Sequence, residues 1–152
     1  IDSIAHELVG RMEPGVQYLI GAGTTTRGVM RLLGLKNTLI GVDLVLDGKL
    51  LANDLYGRQM LEAVREKKTR LIVTVTGGQG FLFGRGNQQI TPEVIRELGR
   101  ENILIAATRE KLFQLRGQPL LVDTGDPLLD QELRGFYRVT TSYGESMICE
   151  VR

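Results

Sequence analysis

The sequence contains a single cysteine, Cys149, so no disulfide can close within the chain, and this poverty fits a reducing compartment. It also contains a single histidine, His6. One residue of each kind argues against a Cys/His zinc site and against a Cys-His nucleophilic pair. His6 falls in a helical pattern and reads as a solvated surface residue, and Cys149 as a small packing residue. No apolar run approaches ~18 residues and no secretory leader is visible, so no membrane span is expected and the protein is assigned to the cytoplasm. Excess charge is missing too. The formal net charge is +1 and no basic run exceeds Lys67-Lys68, which is not the footprint of a nucleic-acid binder. Repeats and low-complexity linkers are absent.

What is present is an ordinary globular composition, 42% hydrophobic and 24% charged over 152 residues, enough for one domain with a proper core. The chain starts at Ile1 without Met and enters at once an amphipathic pattern of Ile4, Ala5, Leu8, Val9 and Met12 that Pro14-Gly15 stops. Residues 1–152 are therefore expected to form a single α/β domain, the carboxy-terminal portion of a longer two-domain protein. A trimmed but complete protein is the alternative.

From there strands and helices alternate. Val16 to Ile20 is a short apolar run, broken by Gly21-Ala22-Gly23 and followed by a helical pattern from Thr26 to Leu33 that Gly34 closes. A second strand from Thr38 to Leu46 leads, through turns at Asp47-Gly48 and Asn53-Asp54, into a helix with Leu55, Met60, Leu61 and Val64 on one side, capped by Asn53 or Asp54. The third strand, Arg70 to Val75, enters a glycine loop, after which Thr91-Pro92-Glu93 starts a helix with an N-cap, a first-turn proline and an acid at the positive end. A strand from Asn102 to Ala107, a helix from Thr108 to Leu115 and a fifth strand from Pro119 to Val122 follow. Asp126-Pro127 then caps a helix that stops at Gly135, and Tyr137 to Ser142 and Met147 to Val151 read as closing strands. Near-continuous apolar strands alternating with helices argue a three-layer, Rossmann-like α/β fold, a mainly parallel sheet with helices on both faces.

Ligands of such sheets sit outside the carboxyl ends of the strands. Three polar segments are expected to converge there. The richest is Gly77 to Gln89, in which Gly77, Gly78, Gly80, Gly84 and Gly86 fall within ten residues. Glycine costs more entropy on folding than any other residue, so such a density implies positive φ or close backbone approach to a ligand, and free N–H groups in such turns make anion-binding concavities. Arg85 brings a planar cationic fork, and Gln79, Asn87, Gln88 and Gln89 bring amides able to hold a phosphate beside a ribose or polar ring. A flexible linker would not carry Phe81, Leu82 and Phe83, although a purely structural loop could.

The second segment, Gly21-Ala22-Gly23-Thr24-Thr25-Thr26-Arg27, places two glycines and three hydroxyls at a helix N-terminus, a phosphate-loop pattern. It lacks a Walker lysine and a third dinucleotide glycine, so an ordinary threonine-capped turn is equally consistent. In the third, Asp126 reads as a cap, whereas Asp123 is free to hold Mg²⁺ or a ribose hydroxyl. Asp43, a carboxylate among apolar neighbours, needs a partner and is assigned to the same pocket.

These stretches, GAGTTTRGVMRLLGLKNTLIGVDLV, TVTGGQGFLFGRGNQQITPEVIRELGRENILIAATREKL and LLVDTGDPLLDQELRGFYRVTTSYGE, together resemble the carboxy-terminal region of the ATP-NAD kinase-like family, including its members encoded with acetoin catabolism. The resemblance spans nearly the whole chain, and GGQGFLFGRGNQQI is its most specific part. It implies a kinase that phosphorylates the 2′-hydroxyl of NAD with ATP or polyphosphate, with Mg²⁺ allowed. It also implies an amino-terminal domain whose Gly-Gly-Asp-Gly-Thr motif carries the catalytic aspartate. This chain has no such motif, so its own catalytic residues stay unassigned. Classical NAD kinases have a largely β carboxy-terminal domain, whereas the periodicities here are α/β. The leading expectation is thus the nucleotide- and phosphate-binding portion of a phosphotransferase, with homo-oligomerisation allowed. A sugar-phosphate-binding, isomerase-like domain and a non-catalytic regulatory or oligomerisation domain are the alternatives.

Overall fold

The computed structural model describes residues 2–36 and 41–152. The chain runs α1 (Asp2–Gly10), β1 (Gln17–Ile20), α2 (Thr24–Leu32), β2 (Val42–Leu46), β3 (Lys49–Leu55), α3 (Gly57–Glu66), β4 (Thr69–Thr74) and β5 (Phe81–Phe83). It continues through α4 (Pro92–Leu98), a single turn Arg100–Asn102, β6 (Ile103–Ala106), α5 (Arg109–Gln114), β7 (Leu121–Val122), α6 (Pro127–Leu133), β8 (Gly135–Ser142) and β9 (Glu145–Val151).

The main sheet has the order β3-β2-β1-β4-β6-β8-β9. Its centre, β1, β4, β6 and β8, is parallel, and antiparallel hairpins close both edges. Successive strand residues point to opposite faces, and here both faces are covered. Leu19, Leu71, Val73, Ile105 and Val139 join one core with α3, α4, α5 and α6. Tyr18, Ile20, Ile72 and Ala106 join the other with α1 and α2. This is the expected three-layer α/β architecture, and the double burial explains why the central strands read as unbroken apolar runs.

The local signals for helix starts hold where side chains cap them. Thr91 and Thr108 accept from the amides of Val94 and Lys111, and Asp126 accepts from Leu128 and Leu129. α3 is different. Neither Asn53 nor Asp54 caps it, because both lie in β3, and instead Gln59 Oε1 accepts the Tyr56 N–H at 3.0 Å.

Two expectations about strands need correction. Lys49–Leu55, read as turns leading into a helix, is an edge strand paired with β2, and the one turn-like feature it contains is the positive φ of 52° at Asp54. The asparagine and aspartate look like turn residues, but the exposed pleat of an edge strand tolerates them because only one side of the backbone is paired. The strand at residues 119–122 does not enter the main sheet as a fifth parallel strand. Leu121–Val122 pairs in parallel with β5 in a separate two-stranded sheet, and Leu120 makes an isolated parallel bridge to Val151 of β9. The start of the second expected strand, residues 38–40, lies outside the described residues.

Met60 ties α3 to the larger core and is 0% exposed. Met60→Ala should therefore cost about 2–5 kcal/mol in urea unfolding, whereas Leu51→Ala on the exposed edge strand should stay within about 0.5 kcal/mol.

Candidate functional site

The loop after β1 is shaped by close approach to β4. The Gly21 N–H donates to Ile72 O at 2.9 Å, continuing the ladder past the end of the strand. Gly23 has φ 133°, and a methyl group there would lie 2.6 Å from Thr74 Cγ2. Helix α2 follows with no side-chain cap, unlike α4, α5 and α6. Thr25 and Thr26 are buried, and Thr26 Oγ1 donates back to Gly23 O at 3.1 Å. Thr24 is the exposed hydroxyl of the three. One turn further, Arg27 Nε is buried without a hydrogen-bond partner.

Asp43 lies opposite Ile20 in the β1–β2 ladder, beside this turn, and is 2% exposed. Its Oδ1 accepts the Asp54 N–H at 3.0 Å. The carboxylate thus holds the left-handed residue of β3 in place, which gives a structural reason for burying it.

The glycine loop is anchored at several points. Thr76 and Phe81 exchange two backbone hydrogen bonds of 2.8 and 3.0 Å, closing Gly77–Gly80 into a tight turn with positive φ at Gly77 and Gly80. Leu82 and Phe83 are fully buried in the larger core. At Gly84, φ is 98° and an added methyl would lie 2.2 Å from Asp123 O. Thr76 Oγ1 donates to Arg85 O at 2.7 Å, and the Gly86 backbone packs on that same side chain. Asn87 is 1% exposed, and its Nδ2 donates to Leu82 O at 2.8 Å. This amide is spent inside the loop. Gln79, Arg85 and Gln88 are exposed.

Arg85 enters no ion pair among the described residues. Its Nη1 donates to Gln79 Oε1 at 3.2 Å, and its guanidinium carbon stands 5.1 Å from the Phe81 ring centroid. A cleft of about 340 Å³ opens between Thr76, Gly77, Gly78, Gln79, Phe81 and Arg85. A second cation reaches the same turn. Lys111 Nζ, from the first turns of α5, donates to Gly77 O at 2.6 Å.

The segment after β7 completes this neighbourhood. The Asp123 N–H donates to Phe83 O at 3.0 Å, and Leu121 N–H to Gly80 O at 2.9 Å. Asp126 caps α6 and pairs with Arg96 at 3.0 Å, and the Arg96 guanidinium, helped by the Leu129 amide, holds its carboxyl below the ordinary aspartate range. Asp130 accepts the Thr124 hydroxyl at 2.6 Å. Asp123 is exposed, and its carboxylate has no hydrogen bond or ion pair among the described residues. No group of three or more His, Cys, Asp or Glu able to hold a metal occurs among those residues.

The glycine loop and Asp123 therefore stand together. Gly21–Thr26 and Asp43 form a second neighbourhood, joined to the first through the end of β4, where Thr74 meets Gly23 and Thr76 meets Gly86. Sequence reasoning missed Lys111 and Thr76. For Lys111 the usable signal was its place in the first turn of a helix that follows a parallel strand, at the same sheet edge as the loop.

Fold and site together define a three-layer α/β domain whose glycine-rich turns are gathered around the carboxyl ends of β1 and β4. The ATP-NAD kinase C-terminal domain family matches residues 15–151, and the chain belongs to that family. No curated protein and no solved structure matches it. No helix among the described residues is long and apolar enough to cross a membrane.

Gly84→Ala should destabilise the protein by more than about 1–3 kcal/mol, since it combines a disallowed φ with a backbone clash. Gly78→Ala, with nothing within 4 Å of the added methyl, should be far milder in the same urea unfolding assay. Asp126 has a folded pKa below its unfolded value, so its contribution is present above the unfolded pKa of about 3.9 and is lost as pH falls through the folded value. Asp126→Asn should accordingly lower Tm at pH 7, with the gap to wild type closing in the acid range below about pH 4.

Proposed function

We propose that this chain is the nucleotide- and phosphate-binding portion of an ATP-NAD kinase-like phosphotransferase, and that the turn Gly77–Gly80 with Arg85 is the main phosphate contact. The observation that carries this reading is the state of Arg85. Most exposed arginines that pack near an acid in this fold are paired with it, as Arg65, Arg96 and Arg109 are. Arg85 instead rests on a phenyl face and one neutral amide, above a cleft whose floor is glycine backbone. A guanidinium held in that way keeps most of its donors for a planar, bidentate anion.

In this reading Gly77, Gly78, Gln79, Arg85, Gly86 and Gln88 contact phosphate or ribose, and Lys111 adds a point charge from the far side of the turn. Gly80, Gly84 and Asn87 give the loop its shape. Gly21, Gly23 and Thr24 hold a second anionic group at the uncapped start of α2, with Thr25, Thr26 and Asp43 supporting the turn. Mg²⁺ in phosphoryl-transfer sites is commonly held by one or two carboxylates together with substrate phosphates. Asp123, exposed and uncommitted, fits as one such carboxylate.

The reaction is transfer of a phosphoryl group from ATP or polyphosphate to the 2′-hydroxyl of NAD. Positioning and charge neutralisation dominate such transfers. The chain's own groups supply both, while the carboxylate that receives the hydroxyl proton comes from a Gly-Gly-Asp-Gly-Thr domain. A sugar-phosphate binder is the second reading, supported by the separateness of the Gly21–Thr24 turn from the glycine loop.

Thermal shift with ATP, NAD, NADP, ribose phosphates and polyphosphate separates the readings, because a ligand at 100 times its Kd stabilises by about 2.7 kcal/mol. Stabilisation by ATP, NAD or NADP is expected, and a response to ribose phosphates alone would favour the second reading. Arg85→Ala should weaken the responding nucleotide by about 1.5–3 kcal/mol, and Arg85→Lys by less, without lowering the Tm of the free protein. A fall in the free Tm with unchanged affinity would make Arg85 structural. NADP formation from NAD and ATP by residues 1–152 alone is expected to stay at background.

A further inference from the structure

The end of α5 carries a residue in a conformation that its side chain does not favour. Leu115 caps the helix, Arg116 follows with φ 53° and Gly117 with φ 77°. A left-handed residue just past a helix cap is usually glycine, because a Cβ is penalised there. Here an arginine takes the place and glycine comes second. The Gln118 N–H returns to Leu115 O at 2.9 Å, so the turn is closed with Arg116 in its middle. Arg116 is exposed, and its guanidinium has no hydrogen bond, ion pair or ring contact among the described residues. Backbone strain of this kind persists where the surroundings impose it, and it gathers at ligand sites.

This turn stands against the glycine loop. A methyl group added at Gly80 would lie 2.9 Å from Leu115 Cδ1, so the loop and the end of α5 are closely packed. Beside that contact opens a cleft of about 470 Å³, within the range of small-molecule sites. Gly78 and Gln79 line it, and they also line the cleft at Arg85, so a single turn of backbone separates the two.

The two clefts differ in chemistry. The one at Arg85 offers a cation and glycine backbone, which suit an anion. The other has an apolar wall of Leu115, Pro119 and Leu121, with the amides of Gln79, Gln114 and Gln118 and the guanidinium of Arg116 around it. An amide carries both a donor and an acceptor, the complement of the edge of a nucleobase, whereas an ionised phosphate would use only its donors. Gln79 gives its Oε1 to Arg85 Nη1 at 3.2 Å, and its Nε2 donors stay uncommitted. The side chains of Gln114 and Gln118 have no partner among the described residues. Flat heterocycles pack on apolar side chains and stack on guanidinium planes.

We propose that this second cleft is a nucleobase subsite, with Arg116 stacked on the ring and Gln114 and Gln118 bonded to its edge. Taken with the phosphate contact at Arg85, on which this step rests, a bound nucleotide lies across the Gly77–Gly80 turn, base on one side and phosphates on the other. In this arrangement the unfavourable backbone of Arg116 serves the ligand and not the fold.

Isothermal titration of the full chain with ATP, NAD and inorganic tripolyphosphate, at about 0.15 M salt to screen distant charge, tests the subsite. Gln114→Ala and Gln118→Ala should each weaken the nucleotide about fivefold, the value of one hydrogen bond, and leave tripolyphosphate, which has no base, within about twofold. Arg116→Gly should weaken the nucleotide at least as much while raising the Tm of the free protein, because glycine relieves the left-handed backbone. Losses confined to ATP or to NAD identify which of the two brings the base, and either supports the subsite. Nucleotide affinities indifferent to all three substitutions overturn the proposal. So does a loss shared equally by tripolyphosphate, or an Arg116→Gly protein that loses Tm and keeps its affinity. Arg85→Ala separates this proposal from the phosphate reading, since it should weaken tripolyphosphate and nucleotide alike. If Arg85→Ala changes neither ligand while the glutamine variants still weaken the nucleotide, the phosphate reading fails and the base subsite stands. If only Arg85→Ala has an effect, the base subsite fails and the phosphate reading stands.

Discussion

A strand buried on both faces cannot offer its side chains to a ligand, and its backbone is consumed by the ladders on either side. That condition governs β1 and β4, whose residues alternate between two cores while each strand pairs with two neighbours. Chemistry in this domain is therefore confined to where the strands stop. At those ends the backbone is free again, and the sequence places glycine there. The turn after β1 leans on Ile72 and Thr74 of β4, and the loop after β4 leans on Thr76 and Asp123, so each polar segment is braced by the end of another strand. The precision of the carboxyl edge comes from the sheet beneath it.

Within the glycine loop, shape and contact are divided among residues that look alike in sequence. Gly84 is required because Asp123 O occupies the place of a side chain, whereas nothing lies near the position a Gly77 or Gly78 methyl would take. Asn87 and Gln88 are adjacent amides, yet one is buried on Leu82 O and the other is exposed. Phe83 fixes the loop in the core while Phe81 lies under the Arg85 guanidinium.

The layered fold was legible in the sequence because its cause is local: Val16–Ile20 and Arg70–Val75 are apolar runs too short for helices, and Thr91-Pro92 and Asp126-Pro127 are caps with a mechanism. Lys49–Leu55 was not legible, because an edge strand is half exposed and its Asn53-Asp54 imitates a turn. The separate β5–β7 sheet was not legible either. Its strands are two and three residues long and owe their pairing to the packing of Phe83 and to Gly84, not to pattern. At the site, glycine density and Arg85 could be read directly from the chain. Lys111 could not, since it reaches Gly77 across 34 residues of sequence, and neither could the commitment of Asp126 to Arg96.

The two cores are unequal, the one beneath α1 and α2 being much the smaller. Regions with fewer buried contacts open at lower free energy than the whole molecule unfolds. The α1–α2 layer is thus the first to lift from the sheet, taking the Gly21–Thr24 turn with it, while the glycine loop stays anchored through Leu82 and Phe83 in the larger core. A ligand bridging the two turns would clamp the weaker layer to the stronger. Occupancy would then be readable at a distance, as slowed amide exchange along α1, which does not touch the ligand.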